Sequence, residues 1–365
     1  MKLTRVEAVE SERNKEDLIV ITGAGGFIGG HLAKYFYNEG FRNIRAVDKK
    51  PLEEWYQCVT GVDNIRLDCS REEACERICD GAVEVYNLAA DMGGMGFIER
   101  FRVECLRSIL INTHMLEAAY RASVKRYFFA SSACVYNTLL QQDPYVRALK
   151  ESDAYPAMAE RGYGWEKLIS EMFCQEYWAE RGMKTFIARF HNVYGPQGTW
   201  DGGREKAPAA ICRKVAAAID KGVEEIEVWG DGTQTRSFMY ITDCVKGIDM
   251  ITHCEELIAT PTNLGSSELV SINELVDKVE TIAGVKLARK YDPTAPRGVG
   301  GRNSDNTFIQ QVLHWEPNTT LDVGLDETYQ WVAEQYSMRK EGKLVVAQPR
   351  YNKTMSVGLV LTICE

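Results

Sequence analysis

One junction constrains the fold of this chain more than any other. The apolar run D-L-I-V-I-T, residues 17–22, passes directly into T-G-A-G-G-F-I-G. The run predicts a buried strand, and residues 26–39 predict a helix. Gly23, Gly26 and Gly29 form G-x-x-G-x-x-G, with the same physical roles as the tighter G-x-G-x-x-G. Gly23 permits the turn, Gly26 lets backbone N–H groups approach a pyrophosphate, and Gly29 lets helix and strand pack closely. A glycine triplet alone is weak evidence; a strand before it and a helix after it make it specific. Asp48 ends the second expected strand about twenty residues on, where a carboxylate accepts bonds from ribose hydroxyls and repels a 2′-phosphate. NAD is therefore expected rather than NADP, a preference that Lys49 and Lys50 soften. Asp68, read as the end of the third strand, is a candidate for the adenine amino group and equally a solvated acid.

Further strands are expected at 43–47, 64–68, 83–88, a run ending at Ala130, and 184–190. Helices are expected at 104–122 and 165–180 between them. Alternation at these lengths implies right-handed crossovers and an α/β fold: a Rossmann-type, doubly wound parallel sheet. Beyond Tyr194 glycine and proline become frequent, and short strands mix with helices at 207–220 and 272–283. This texture predicts a smaller mixed α/β substrate-binding domain. The expected division is 1–190 mainly for NAD and 191–340 mainly for substrate, with at least one chain return to the first. Residues 341–365 form an apolar tail of unknown role.

A formal net charge of −9 argues against a nucleic-acid or anionic-membrane surface but leaves room for a basic pocket. The polar start of the chain lacks the apolar core of a secretory leader, and no run approaches the ~20 apolar residues of a span. Eleven cysteines without paired spacing point to the reducing cytoplasm. Metal binding is not expected: C-x-x-C and H-E-x-x-H are absent, and nothing near Cys75 and Cys79 completes a ligand set.

The chemistry concentrates in A-S-S-A-C-V-Y, residues 130–136, at a strand's carboxyl end, and in Y-G-W-E-K, residues 163–167. Tyr163 and Lys167 fall one helical turn apart, so the ammonium is expected to lower the phenol's pKa and make phenolate a usable base. Ser132 supplies a hydroxyl for the same alcohol oxygen. Together with the glycine turn, N-L-A-A at 87–90, R-F-H-N-V-Y-G-P at 189–196 and W-G-D-G-T-Q-T-R-S-F at 229–238, these motifs resemble the nucleotide-sugar branch of the extended short-chain dehydrogenase/reductase family. The resemblance covers about residues 17–325. It implies NAD held by Gly23, Gly26, Phe27, Ile28, Gly29, Asp48, Asp68, Tyr163 and Lys167, with Tyr163, Lys167 and Ser132 oxidising a sugar hydroxyl.

Members of that branch differ in how they treat the transient ketone. A 4-epimerase needs no further acid or base, whereas a 4,6-dehydratase carries Asp–Glu where this chain has Ala133–Cys134. A bound-NAD sensor without activity would tolerate loss of Tyr163 or Lys167, and both are present. The segments A-D-M-G-G-M-G-F (90–97), L-K-E-S-D-A-Y-P (149–156) and G-T-W-D-G-G-R-E-K-A-P-A-A (198–210) are similar to members that invert GDP-mannose at carbons 3 and 5. That similarity implies GDP-L-galactose as product, GDP-L-gulose as the single-inversion product, and related GDP-hexoses as ligands. It makes Cys134 and Lys206 the acid–base pair. Gly93, Ser132, Ala133, Asn192, Glu205, Ala207, Lys214, Gln234, Thr235, Arg236 and Arg302 become substrate contacts, with Lys214, Arg236 and Arg302 as the cations a diphosphate requires. It also implies a homodimer built on the helices at 104–122 and 165–180. Two stretches depart from the pattern, Asn137–Thr138 and A-M-A-E-R-G at 157–162; neither is expected to touch the reacting groups.

Overall fold

A computed structural model describes residues 13–296 and 298–343, so nearly all of the apolar tail lies outside the described residues. The main sheet has seven strands in the order Pro261–Leu264, Thr185–Phe190, Arg126–Ser132, Glu84–Asn87, Ile19–Thr22, Ile44–Asp48 and Asp63–Arg66. All pairings within it are parallel. The first strand pairs with the second on one side and the fourth on the other, which creates the reversal of strand order where such sheets bind ligands.

Near-continuous apolar strands suit a sheet buried on both faces. Side chains alternate: Ile19 and Ile21 join Phe36, Tyr86 and Phe128 in one core, while Val20 joins Val85, Tyr127 and Phe129 in another. The chain leaves the sheet after Phe190 and re-enters it as Pro261–Leu264, beside Thr185–Phe190. Between and after these strands lie a three-stranded sheet (Leu269–Ser271, Thr235–Ser237, Gly301–Arg302) and the parallel pair Glu225–Trp229 and Ala288–Asp292. The helices Ala207–Lys221, Ile272–Ala283 and Leu321–Lys340 pack on one another beside them.

Two expected elements change. The helix read at 104–122 is divided into Arg102–Arg107 and Ile109–Arg121. At Ser108 the ladder tightens to i→i−3 bonds (Ser108 N to Cys105 O 3.2 Å, Ile111 N to Ser108 O 3.0 Å), while the Ser108 hydroxyl accepts from the Asp91 N–H at 2.9 Å. The third strand stops at Arg66, so Asp68 does not end it. Asp68 lies in the following turn and accepts from the Ser70 N–H at 3.0 Å.

Candidate active site

The glycine turn is sterically closed to side chains. Gly23 has φ +72°, and a β-carbon there would lie 2.8 Å from the Leu88 carbonyl carbon. A β-carbon on Gly29 would lie 2.4 Å from the Gly23 oxygen, which accounts for the close approach of the helix Phe27–Asn38 to the strand before it. Gly23, Gly26, Phe27, Ile28, Gly29, Asp48 and Asp68 line one cavity, which continues to Ser132, Tyr163 and Lys167. A bare turn at a helix start, facing a cavity with a strand-end carboxylate, fits a dinucleotide. The neighbouring lysines already have partners: Lys49 pairs with Asp91 at 2.6 Å, and Lys50 donates to the Gly25 carbonyl at 3.1 Å.

Ser132 closes the strand Arg126–Ser132, and its hydroxyl accepts from the Cys134 N–H at 3.2 Å, capping the short turn Ala133–Val135. Tyr163 is the first residue of the helix Tyr163–Arg181, entered through Gly162 at φ +80°. The Lys167 ammonium lies 5.6 Å from the Tyr163 ring centre and 4.7 Å from that of Phe129. The surroundings work against the expected lowering of the phenol's pKa. Burial pushes it well above its ordinary value, Cys134 and Glu166 push the same way, and the Ser132 hydroxyl opposes them. Lys167 meanwhile faces the buried Glu166 carboxylate at 3.6 Å, which offsets its charge.

A second cavity adjoins the first and is lined by Ser132, Ala133, Cys134, Tyr163 and Lys206. Burial raises the Cys134 thiol; Glu160 raises it further and Arg302 opposes both. Lys206 immediately precedes the helix Ala207–Lys221, and burial lowers its ammonium against the influence of Cys134. Gly93, Asn192, Glu205, Ala207, Lys214, Gln234, Arg236 and Arg302 line the same cavity. The loop at 90–97 interlocks with that at 202–206: Gly94 N–H donates to the Arg204 carbonyl at 3.0 Å, and a β-carbon on Gly94 would lie 2.4 Å from the Glu205 carbonyl oxygen.

The expected cations divide by position. Lys214 is held by the Glu227 carboxylate at 3.0 Å, and burial lowers Arg236 to about 10. Arg302 is engaged by Gln141, Cys134 and Glu160, so its guanidinium sits beside the candidate acid–base thiol. The Thr235 side chain is not brought to the cavity. Gln234 and Arg236 face it, and the alternation of a strand turns Thr235 away, where its hydroxyl donates to the Pro144 carbonyl.

The segment 157–162 does reach the site, contrary to expectation. Glu160 pairs with Arg302, and its N–H donates to the Cys134 carbonyl at 3.1 Å. Sequence reasoning also missed Gln141 and Arg204. Gln141 carries no local signal, but Arg204 stands inside G-G-R-E-K, already marked as a site loop, and its guanidinium covers the Phe97 ring at 3.9 Å.

The model of the NAD dependent epimerase/dehydratase family matches residues 19–265. The chain is 44% identical over 323 residues to a protein of Arabidopsis thaliana named GDP-mannose 3,5-epimerase, across 88% of this chain and 84% of that one. It is 43% identical over 339 residues to GDP-mannose 3,5-epimerase 1 of Oryza sativa subsp. japonica, across 93% and 87%. Among solved structures, MoeE5 in complex with UDP-glucose and NAD matches at TM-score 0.73 and 28% identity, across 87% of this chain and 99% of that one.

Proposed function

The chain belongs to the NAD dependent epimerase/dehydratase family, and on that premise we propose that it is an isomerase that inverts GDP-mannose at carbons 3 and 5, with NAD as cofactor. The substrate is that of its named plant relatives. The observation that carries the chemistry is the shared cavity of Cys134 and Lys206, continuous with Ser132 and Tyr163. A 4,6-dehydratase would want a carboxylate where Cys134 stands.

Gly23, Gly26, Gly29 and Asp48 would hold NAD, which would supply a reversible hydride acceptor for carbon 4 of the sugar, so that the cycle would have no net redox. Tyr163 takes the proton of the 4-hydroxyl, Lys167 supports it, and Ser132 orients that oxygen. A ketone at carbon 4 acidifies the protons on carbons 3 and 5, and inversion needs a base on one face of the ring and an acid on the other. Burial moves the two candidates in useful directions. It makes the Cys134 thiolate a stronger base and the Lys206 ammonium a stronger acid. We assign Cys134 as the base and Lys206 as the acid, each acting through the charged form that burial disfavours. In this reading residues 1–190 mainly serve NAD and residues 191–340 mainly hold the GDP-hexose.

The protein acts as a homodimer in the cytoplasm. Supporting the dimer, Trp165, Ile169, Met172 and Phe173 are exposed at helical spacing on Tyr163–Arg181, with Leu106 and Leu110 exposed on the neighbouring helices. Supporting the compartment, the described cysteines are free thiols.

Incubation with GDP-mannose in deuterated water, followed by NMR, tests the activity. Deuterium at carbons 3 and 5 is expected, with GDP-L-galactose and GDP-L-gulose as products. Absence of exchange at both carbons would reduce the protein to a simple 4-epimerase, and a 4-keto-6-deoxy sugar would make it a dehydratase.

A further inference from the structure

The two stretches that depart from the family pattern meet in space. The Asn137 amide donates to the Pro156 carbonyl at 2.9 Å, and the Thr138 N–H donates to the Met158 carbonyl at 3.0 Å. This junction holds the loop that carries Glu160. The Glu160 N–H is fixed on the Cys134 carbonyl, and its carbonyl accepts from the Trp165 N–H at 3.2 Å, in the first turn of the helix that Tyr163 begins. A β-carbon on Gly164 would lie 2.2 Å from the Cys134 oxygen, so the helix start, this loop and the cysteine's turn form one tight unit.

From it the Glu160 carboxylate meets Arg302, which arrives from the other half of the chain. The guanidinium is gripped on three sides. Nε donates to Gln141 Oε1 at 2.6 Å, Nη2 donates to Glu160, and Nη1 donates to the Cys134 sulfur at 3.4 Å. Gln141 is itself fixed, because its amide donates to the Tyr136 and Asn137 carbonyls at 3.3 and 3.2 Å. Both members of the pair are largely withdrawn from water, with side chains 5% and 11% exposed, so the charge on each is felt at the sulfur.

We infer that Glu160 is a positioning residue that seats the Arg302 guanidinium on the Cys134 sulfur and cancels most of its charge there. The inference rests on the reading of Cys134 as the acid–base thiol. A fork-shaped cation held by a carboxylate on one side presents its remaining N–H to the sulfur in a fixed direction. Alone, that cation would draw the sulfur toward thiolate against the burial that opposes it. With Glu160 opposite, the net field is small, and burial keeps the sulfur in its thiol form until a proton acceptor draws on it. The other ionisable groups acting at Cys134 are Lys206, Arg236, Tyr163 and Cys105. Glu160 is the acid among the groups that shift Cys134 itself.

The test reads the thiol directly and needs no turnover. The rate of Cys134 alkylation by iodoacetamide is followed against pH, with the labelled peptide resolved by mass. Glu160→Gln keeps a hydrogen-bond acceptor for Arg302 but removes the charge, and the thiolate midpoint is expected to fall by about one unit. The pH profile of sugar inversion should move the same way. A purely structural role would slow labelling or lower the melting temperature with no move of the midpoint. An unchanged or raised midpoint in folded Glu160→Gln overturns the inference. Should that variant not fold, Arg302→Gln serves instead: its midpoint must rise, and no rise means that the guanidinium does not act on the sulfur. Full 3,5-inversion by Cys134→Ala would sink the function of the thiol while leaving the charge balance measured here intact.

Discussion

The two ends of the sheet treat buried charge in opposite ways. At the amino end Arg13 bridges Asp249 and Glu84, each at 2.7 Å; Glu84 also receives Tyr86 at 2.9 Å, and Asp249 receives Tyr35 at 3.0 Å. There, pairing overcomes burial, and Glu84 and Asp249 titrate below the ordinary carboxylate range. At the carboxyl end burial wins at the reacting groups, although the Glu160–Arg302 pair beside them stays charged. The Cys134 thiol and Tyr163 phenol are pushed up, the Lys206 ammonium is pushed down, and Glu166 is raised, with one carboxylate oxygen buried and without a hydrogen-bond partner. Paired charges hold a fold together but cannot exchange protons readily. Groups pushed toward their neutral forms cost stability and are ready for proton transfer.

The sharpest way to break this contrast is at the carboxyl end. Cys134→Ala should lower 3,5-inversion by about 10²–10⁴-fold, the span of a positioned acid or base, and leave the melting temperature within a degree or two. Substrate-dependent absorbance of reduced nicotinamide should remain, because the hydride step uses Tyr163, Lys167 and Ser132. Loss of that absorbance together with inversion would show that Cys134 serves binding or oxidation instead.

The carboxyl end was legible in the sequence where its geometry is local. The glycine turn, the Tyr163–Lys167 turn of helix and the Ser132–Cys134 cluster each span a few residues, and backbone periodicity alone brings them together. Even the misplaced Thr235 was readable in principle, since alternation along Thr235–Ser237 puts Gln234 and Arg236 on one face. Contacts between distant segments were not legible. Glu160 and Arg302 are 142 positions apart, and the break at Ser108 follows from a bond to the backbone of Asp91. The raised phenol at Tyr163 was missed for a related reason: the spacing reveals the nearby ammonium but not the burial and the Glu166 charge that outweigh it.

At the amino end the expected effect is on stability rather than rate. Glu84→Gln leaves Arg13 and His253 with Asp249 as their remaining carboxylate, and losing one of two partners in a mostly buried cluster costs roughly 1–3 kcal/mol. Thermal unfolding should show a drop of several degrees, while turnover per folded molecule stays near that of the parent. A large fall in turnover at unchanged stability would mean that the two ends are coupled, and the contrast drawn here would fail.

The smallest effect, and the one that isolates pairing from packing, comes from His253. Its ring nitrogens lie 3.0 Å from Glu84 Oε1 and 3.1 Å from Asp249 Oδ1. Burial disfavours its charge, but bonds to Asp249 and Glu84 more than compensate, and its pKa rises from 6.5 to about 9. A raised folded-state value means that the imidazolium stabilises the fold fully below pH 6.5 and that this contribution fades as pH climbs through about 9. The contribution is of the order of 2–3 kcal/mol. The melting temperature of the parent should therefore fall between pH 7 and about 9.5, and His253→Asn should flatten that slope while starting lower. Equal slopes for parent and variant would mean that His253 stays neutral between its two carboxylates, and the amino end would then have to be explained by Arg13 alone.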